Sequence, residues 1–306
     1  MPGGSGIRRL VSVVKAAMTG RGGAVSGGDD QSYEWAAAEK DLLGGIDANV
    51  PVSARIWNYW LGGKDYYEVD KKAGDQFLAL YPDIASLARA GRLFINRTVT
   101  YLARDAGVRQ FLDIGTGLPT EDNTHEVAQR AAADARVVYV DNDPLVLAHA
   151  RAMLTATRPG TTDYIDADLN RPEEIISIAR QKLDFSQPVA IMLMGVLGHV
   201  GNPYENDDEF TRSVVTKLKD ALPSGGYLAL CESADTEETN NEAIRTYNES
   251  GAAPYRLRST RQINRFFDGL EPAEPGIVPI QQWRPDERSA ALPQDIHAWG
   301  AVARKP

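Results

Sequence analysis

From residue 108 onward, short apolar runs alternate with amphipathic stretches, the rhythm of an α/β protein with a parallel sheet. Gln110 to Ile114, Arg136 to Asp141, and residues 163–166, 188–196 and 227–232 read as five buried strands. Between them the pattern predicts helices over 120–133, with Thr120 as the cap, from Pro144 onward, over 172–183 and over 208–222. A polar helix over 237–250 and another opened by the Ser259–Gln262 capping box come next. The runs 276–283 and 296–304 complete the strands, the final one antiparallel. The expected fold is α/β, a doubly wound, seven-stranded, mostly parallel sheet with an N-terminal helical extension. Helices over 31–43, 53–61, 70–80 and 84–106 form that extension, with Gly91 placed to break the last. The chain thus divides into a tail at 1–30, an extension at 31–106 and a core at 107–306.

The turn after the first strand carries the candidate chemistry. Asp113-Ile114-Gly115-Thr116-Gly117 is a strand ending beside an acid and running into a glycine turn, a common nucleotide-binding corner. A dinucleotide fingerprint would place a third glycine or alanine where Thr120 stands. The Asp113 carboxylate would repel a pyrophosphate but suits the cationic methionyl end of S-adenosylmethionine (SAM). Asp141, 26 residues after Gly115, ends the second strand where a carboxylate can accept from both ribose hydroxyls, and Asn142 follows it. The plain alternatives are an ordinary tight turn at Gly115 and a helix cap at Asp141.

Further along, Asp168 is placed to meet the exocyclic amine of adenine and the Leu169 amide a ring nitrogen, although either suits a simple turn. Gly195 opens the loop after the most apolar strand, and that loop carries His199, either a general base or a packing residue. Arg89, Arg92 and Arg97 read as a solvated face from which one arginine can meet a ligand carboxylate. Trp57, Tyr59, Trp60, Tyr66 and Tyr67 crowd the segment around Gly62 and Gly63. That density suggests a lid, with Tyr59, Gly62, Gly63, Lys64 and Asp65 near the ligand. For Ile56 and Trp60, spaced i and i+4, packing is the better reading.

Composition narrows the partners. The 306 residues are 43% hydrophobic and 25% charged, with a net charge of −9 and no long basic run, which argues against nucleic acid. The single cysteine, Cys231, excludes an intramolecular disulfide and a multi-cysteine metal site, and no metal-ligand cluster is evident. No apolar run reaches the length of a membrane span. Four cations and no acid in the first 28 residues, with Lys15 breaking the apolar stretch, read as a flexible tail and not a signal peptide. A cytoplasmic protein is expected.

The glycine turn, the Asp141 strand end and the seven-stranded pattern resemble class I SAM-dependent methyltransferases. Asn49-Val50-Pro51, Ala54-Arg55, Tyr59-Trp60-Leu61-Gly62-Gly63-Lys64-Asp65 and Trp283-Arg284-Pro285-Asp286 resemble a bacterial SAM methyltransferase family long catalogued as a domain of unknown function. The resemblance runs from about Asp47 to the end. Trp57, Asn58 and Gly91 depart from the family's usual residues. The resemblance implies SAM as cofactor and methyl transfer to an acceptor, expected to be a small molecule. A SAM-binding module without catalysis is the alternative, and the oligomeric state stays open, a homodimer included.

Overall fold

The computed structural model describes residues 46–156, 161–201, 208–293 and 295–306. The tail and the helix expected over 31–43 lie outside these residues. Three helices come first, α1 (Ser53–Trp60), α2 (Glu68–Leu80) and α3 (Ile84–Arg104). The alternating part follows as β1 (Gln110–Ile114), α4 (Thr124–Ala131), β2 (Arg136–Asp141), α5 (Pro144–Ala156), β3 (Thr162–Asp166), α6 (Pro172–Ala179), β4 (Val189–Met194), α7 (Asp208–Ala221) and β5 (Tyr227–Ser233). The chain ends with α8 (Glu238–Asn248), α9 (Thr260–Arg265), β6 (Glu271–Pro272), β7 (Val278–Pro279), α10 (Glu287–Ala290) and β8 (Ala298–Arg304).

The sheet order is β3-β2-β1-β4-β5-β8-β6, with β7 also on β8. Strands β1 to β5 are parallel, and β8 runs antiparallel to β5. Successive side chains point to opposite faces, so each strand feeds two cores. Phe111, Val137 and Met192 pack under α1–α4 and α8, while Leu112, Val138 and Ile191 pack against the helices of the other face. Both faces are covered, which is why these strands read as continuous apolar runs.

Three expectations need correction. The run 276–283 is not one strand. It pairs with β8 only at Val278 and Pro279 and then turns through a 3₁₀ segment, Ile280–Gln282. Proline lacks a ladder donor, and Ile280 and Trp283 are drawn into the core under α3, so the edge is split between β6 and β7 and the described strands number eight. The helix after β1 starts at Thr124, not Thr120. Asn123 precedes it and donates its N–H to the Glu126 carboxylate at 2.8 Å, while Thr120 N donates to Asn123 Oδ1. Helix α3 runs unbroken through Gly91, since one glycine costs a helix only about 1 kcal/mol against alanine.

The helical extension is bolted to the sheet rather than appended to it. Arg55 and Asp70, 1% and 0% exposed, form an ion pair at 3.1 Å. Asp70 also accepts from the N–H groups of Val52 and Tyr67 at 2.8 Å each, so one carboxylate joins the entry to α1 to the start of α2. Trp60 stacks at a tilt on Phe77 and donates to Gly74 O at 3.2 Å. Helix α3 is held by Arg97, which donates to the carbonyls of Trp283 and Ile280 at 2.9 and 2.6 Å.

Removing one partner of a buried pair leaves the other charge uncompensated. Asp70→Ala is therefore expected to lower stability by about 3–5 kcal/mol in urea melts. Asp75→Ala, which breaks the exposed pair with Lys71, is expected to have a far smaller effect in the same melts.

Candidate active site

A cavity of about 480 Å³ lies over the carboxyl ends of the parallel strands, where the strand order reverses between β1 and β4. Its floor is built from the loops after β1 to β5, from Asp113 to Ser233. Its walls come from Ser53, Ile56, Trp57 and Trp60 of α1, Phe77 of α2, Leu87 and Arg92 of α3, and Asn240, Ile244 and Tyr247 of α8. The volume lies in the range of small-molecule sites, about 300–1,000 Å³.

The glycine turn depends on close packing. Gly115 has φ +75°, and a Cβ there would lie 2.3 Å from Val196 Cγ2, so only glycine lets the loops after β1 and β4 meet. The turn is held by Asp141, whose Oδ2 accepts from Gly117 N at 2.9 Å. Its Oδ1 accepts from the N–H groups of Asn142 and Asp143 at 2.9 and 3.1 Å. A carboxylate has about four acceptor positions, so Asp141 keeps capacity for a ligand in the cavity that it lines. Burial pushes its carboxyl above the usual range, against the pull of these N–H groups.

Beside it, Asp113 is 7% exposed, and its Oδ2 accepts from Thr124 Oγ1 at 2.6 Å. Burial pushes this carboxyl up to about 6, although Arg92 pulls the other way. Arg92 lines the same cavity and donates from Nη2 to Asp122 O at 3.0 Å, while its buried Nε has no partner among the described residues. Asp122 is itself gripped by Asn96, Arg130 and Arg288 at 2.9, 2.7 and 3.1 Å. A held anion and a held cation thus face one cavity.

On the other side, His199 sits in a 3₁₀ turn, Leu197–His199. Its Nδ1 lies 2.9 Å from Pro254 O and its Nε2 3.0 Å from Ser53 Oγ. A carbonyl only accepts, so Nδ1 carries the proton and Nε2 accepts from the Ser53 hydroxyl. Burial lowers the imidazole pKa, which keeps the ring neutral near pH 7. The ring meets Tyr255 edge-on at 5.0 Å, and the Tyr255 hydroxyl donates to Glu232 Oε2 at 2.7 Å. Glu232 Oε1 in turn accepts from Leu197 N at 2.7 Å, so the His199 loop is pinned from below.

Of the residues singled out in the sequence, Asp113, Gly115, Thr116, Gly117, Asp141, Asn142, Asp168, Leu169, Gly195 and His199 all line this cavity. Tyr59, Gly62, Gly63, Lys64 and Asp65 do not. The Tyr59 hydroxyl donates to Asp75 at 2.5 Å, and Lys64 is exposed. Gly63 serves close packing, because a Cβ there would lie 2.2 Å from Asn58 Oδ1, which accepts from Asp65 N. Helix α1 covers the cavity through its opposite face instead. Cys231, buried on β5 beside Met194, has its thiol pushed up by burial, which makes it a poor nucleophile. Sequence reasoning missed Ser53, whose hydroxyl meets His199 instead of capping α1, and the Asn240–Ile244–Tyr247 face of α8. The i, i+4, i+7 spacing was the only local signal for that face.

The two turn glycines separate two physical causes. Gly115→Ala meets both a forbidden φ and the Val196 side chain, whereas Gly117→Ala, with φ +62°, meets no atom within 4 Å. Gly115→Ala is expected to cost more than the roughly 1–3 kcal/mol of backbone strain alone, and Gly117→Ala no more than that strain, in thermal melts of the free protein.

Comparison with known proteins agrees with this geometry. The S-adenosyl methyltransferase family matches residues 39–306. Among solved structures, a DUF574-family protein of Streptomyces avermitilis is 41% identical, with a TM-score of 0.79, over 85% of this chain and 99% of its own. A Thermobifida fusca protein described as a candidate methyltransferase is 38% identical, with a TM-score of 0.78, over 85% of this chain and 97% of its own. No curated protein matches the chain. Nearly nine-tenths of the sequence thus falls within one family, and the chain belongs to the S-adenosyl methyltransferase family as a SAM-dependent methyltransferase.

Proposed function

We propose that this methyltransferase acts on a small molecule, with SAM over β1–β3 and the acceptor over β4 and β5. The observation that carries the reading is the lining of the cavity. Trp57 and Trp60 of α1, Phe77 of α2 and Ile244 and Tyr247 of α8 line it beside the loops after β4 and β5, and its volume of about 480 Å³ suits a cofactor with a compact molecule.

The residues of the first half fit SAM. The Arg92–Asp113 pair is complementary to a zwitterion, with the unpartnered Arg92 Nε for the carboxylate and Asp113 for the ammonium and the sulfonium. Asp141 takes the ribose hydroxyls beside Asn142, with the backbone of Gly115, Thr116 and Gly117 alongside. Asp168, whose Oδ1 is engaged by Asn170 at 2.8 Å, has its second oxygen for the adenine amine, and the Leu169 amide faces a ring nitrogen. Gly195 leaves open space where the two halves join.

When bound, SAM supplies a methyl group on a positively charged sulfur that departs as a neutral thioether in an in-line displacement. The chain's contribution is alignment and exclusion of water, carried by the walls of α1 and α8. His199 receives the acceptor's proton at Nε2 through the Ser53 hydroxyl, its tautomer held by Pro254 O. His199→Gln is therefore expected to slow turnover by roughly 10²–10⁴-fold, the usual contribution of a general base, with SAM affinity retained. Single-turnover kinetics with saturating SAM would check this.

Asp113 makes cofactor binding depend on pH. A cationic ligand selects the ionised carboxylate, so SAM affinity is expected to be full well above pH 6 and to fall below it, by up to about tenfold per pH unit. The free protein moves the opposite way. Its Asp113 pKa lies above the ordinary 3.8, so this group's contribution to stability is complete below that value and is lost as pH rises through about 6. Calorimetric titration of wild type and Asp113→Asn across this range would test both, the variant losing the dependence. For the acceptor, methyl-labelled SAM incubated with a bacterial extract should put label into the ultrafiltrable metabolites. Label only in the protein fraction would overturn the small-molecule reading.

A further inference from the structure

Resting on that reading, we infer that the acceptor is an uncharged, flat, two-ring-sized molecule with an oxygen at each end, held along one face of α8. The carboxylates and the guanidinium free to meet a ligand, Arg92, Asp113, Asp141, Asp143 and Asp168, all stand at or beside β1 to β3. Over β4 and β5, the only carboxylate and the only imidazole among the described lining residues are Glu232 and His199. Both are already committed, Glu232 to Tyr255 and the Leu197 amide, His199 to Pro254 and Ser53. A charged acceptor would lose its hydration there and find no opposite charge in return, a cost of several kcal/mol for an unpaired ion.

The walls of the cavity are largely aromatic and aliphatic. Trp57, Trp60, Phe77, Ile84, Leu87 and Ile280 line it, and faces of this kind favour a flat apolar body. Helix α8 adds the polar ends. Asn240, Ile244 and Tyr247 follow i, i+4, i+7 spacing and share one face. Asn240 is 2% exposed and Tyr247 6%, yet Asn240 Nδ2 and the Tyr247 hydroxyl have no hydrogen-bond partner among the described residues. The Tyr247 hydroxyl lies near Ser53 without an aligned bond to it.

A buried donor left unpaired costs about 1–3 kcal/mol, so two on one cavity wall mark places that a ligand satisfies. Nδ2 can only donate and therefore wants an oxygen or an unprotonated nitrogen. Tyr247 Oη can give or take a proton, and its neighbour Ser53 leads to the proton acceptor His199. The oxygen at that end is thus the one to be methylated, and the oxygen at Asn240 is a carbonyl. Seven residues of helix separate the anchors by about 10 Å along the axis, with Ile244 between them, which matches the length of a fused two-ring body.

The test is direct binding of a matched pair to the full-length protein saturated with S-adenosylhomocysteine. The neutral probe is 6-hydroxy-2-acetonaphthone, and its charged counterpart is 6-hydroxy-2-naphthoate. The ketone is expected to bind at least about tenfold more tightly than the carboxylate. Asn240→Leu and Tyr247→Phe should each weaken the ketone by about tenfold, the loss of one buried hydrogen bond. S-adenosylhomocysteine affinity, measured separately, should stay unchanged in both variants and thereby report that they are folded. Equal or tighter binding of the naphthoate overturns the uncharged class while the small-molecule reading stands. Ketone binding that neither variant weakens overturns the α8 assignment. Binding of neither probe, with S-adenosylhomocysteine still bound, overturns the two-ring class, and the label distribution between metabolites and protein then decides the broader reading independently.

Discussion

The Asp141 carboxylate is the tie on which the site is built. It accepts from Gly117 on one side and from Asn142 and Asp143 on the other, so it joins the crossover after β1 to the crossover after β2. Parallel pairing sets Asp113 opposite Tyr139, two residues before Asp141, so the two carboxylates stand at the ends of adjacent strands. Two carboxylates at one cavity edge, Asp113 buried and Asp141 half-buried, are costly in the free protein, and desolvation raises both above the ordinary carboxylate range. A cationic ligand relieves that cost. The same feature that weakens the empty fold therefore sharpens its selectivity.

The helical extension solves a different problem. A sheet with its strand ends open to water would give poor control over a methyl donor. Helix α1 closes the opening, and its position follows from a few interactions of long range. Arg55–Asp70 locks α1 to α2, Arg97 locks α3 to the segment before α10, and Ser53 touches His199 across the cavity. These helices share the hydrophobic cluster of the sheet, with Ile56, Trp60 and Phe77 in the same core as Phe111 and Met192.

The five parallel strands and the cofactor corner are legible in the sequence because their signals are local. A continuous apolar run, an acid at its end and a glycine two residues on lie within a handful of positions. The rest depends on partners far away in the chain. Nothing near Ser53 shows that its hydroxyl meets His199, and nothing near Arg97 shows that it leaves the solvated face for the carbonyls of Ile280 and Trp283. The aromatic and glycine-rich stretch at 59–65 shows the same dependence on partners. Its composition suggests a ligand lid, and in the structure Asn58 and Asp75 bond to Asp65 and Tyr59 and brace the turn between α1 and α2. The split edge at 276–283 also defeats period-2 reading, since Ile280 and Trp283 leave the ladder to fill the space under α3.

Arg97 has a consequence for the order in which the molecule can assemble. Its two carbonyl partners lie 183 and 186 residues downstream, and Trp283 fills the space between Phe94 and Tyr101 of α3. During synthesis, α3 leaves the ribosome with a buried-to-be guanidinium and an open aromatic slot, and both wait until nearly the whole chain has been translated. The packing of α3 is therefore completed only late in the chain, in contrast to the usual N-terminal-first sequence of folding. A nascent chain halted before Trp283 would leave that slot unfilled and the Arg97 guanidinium without both carbonyls.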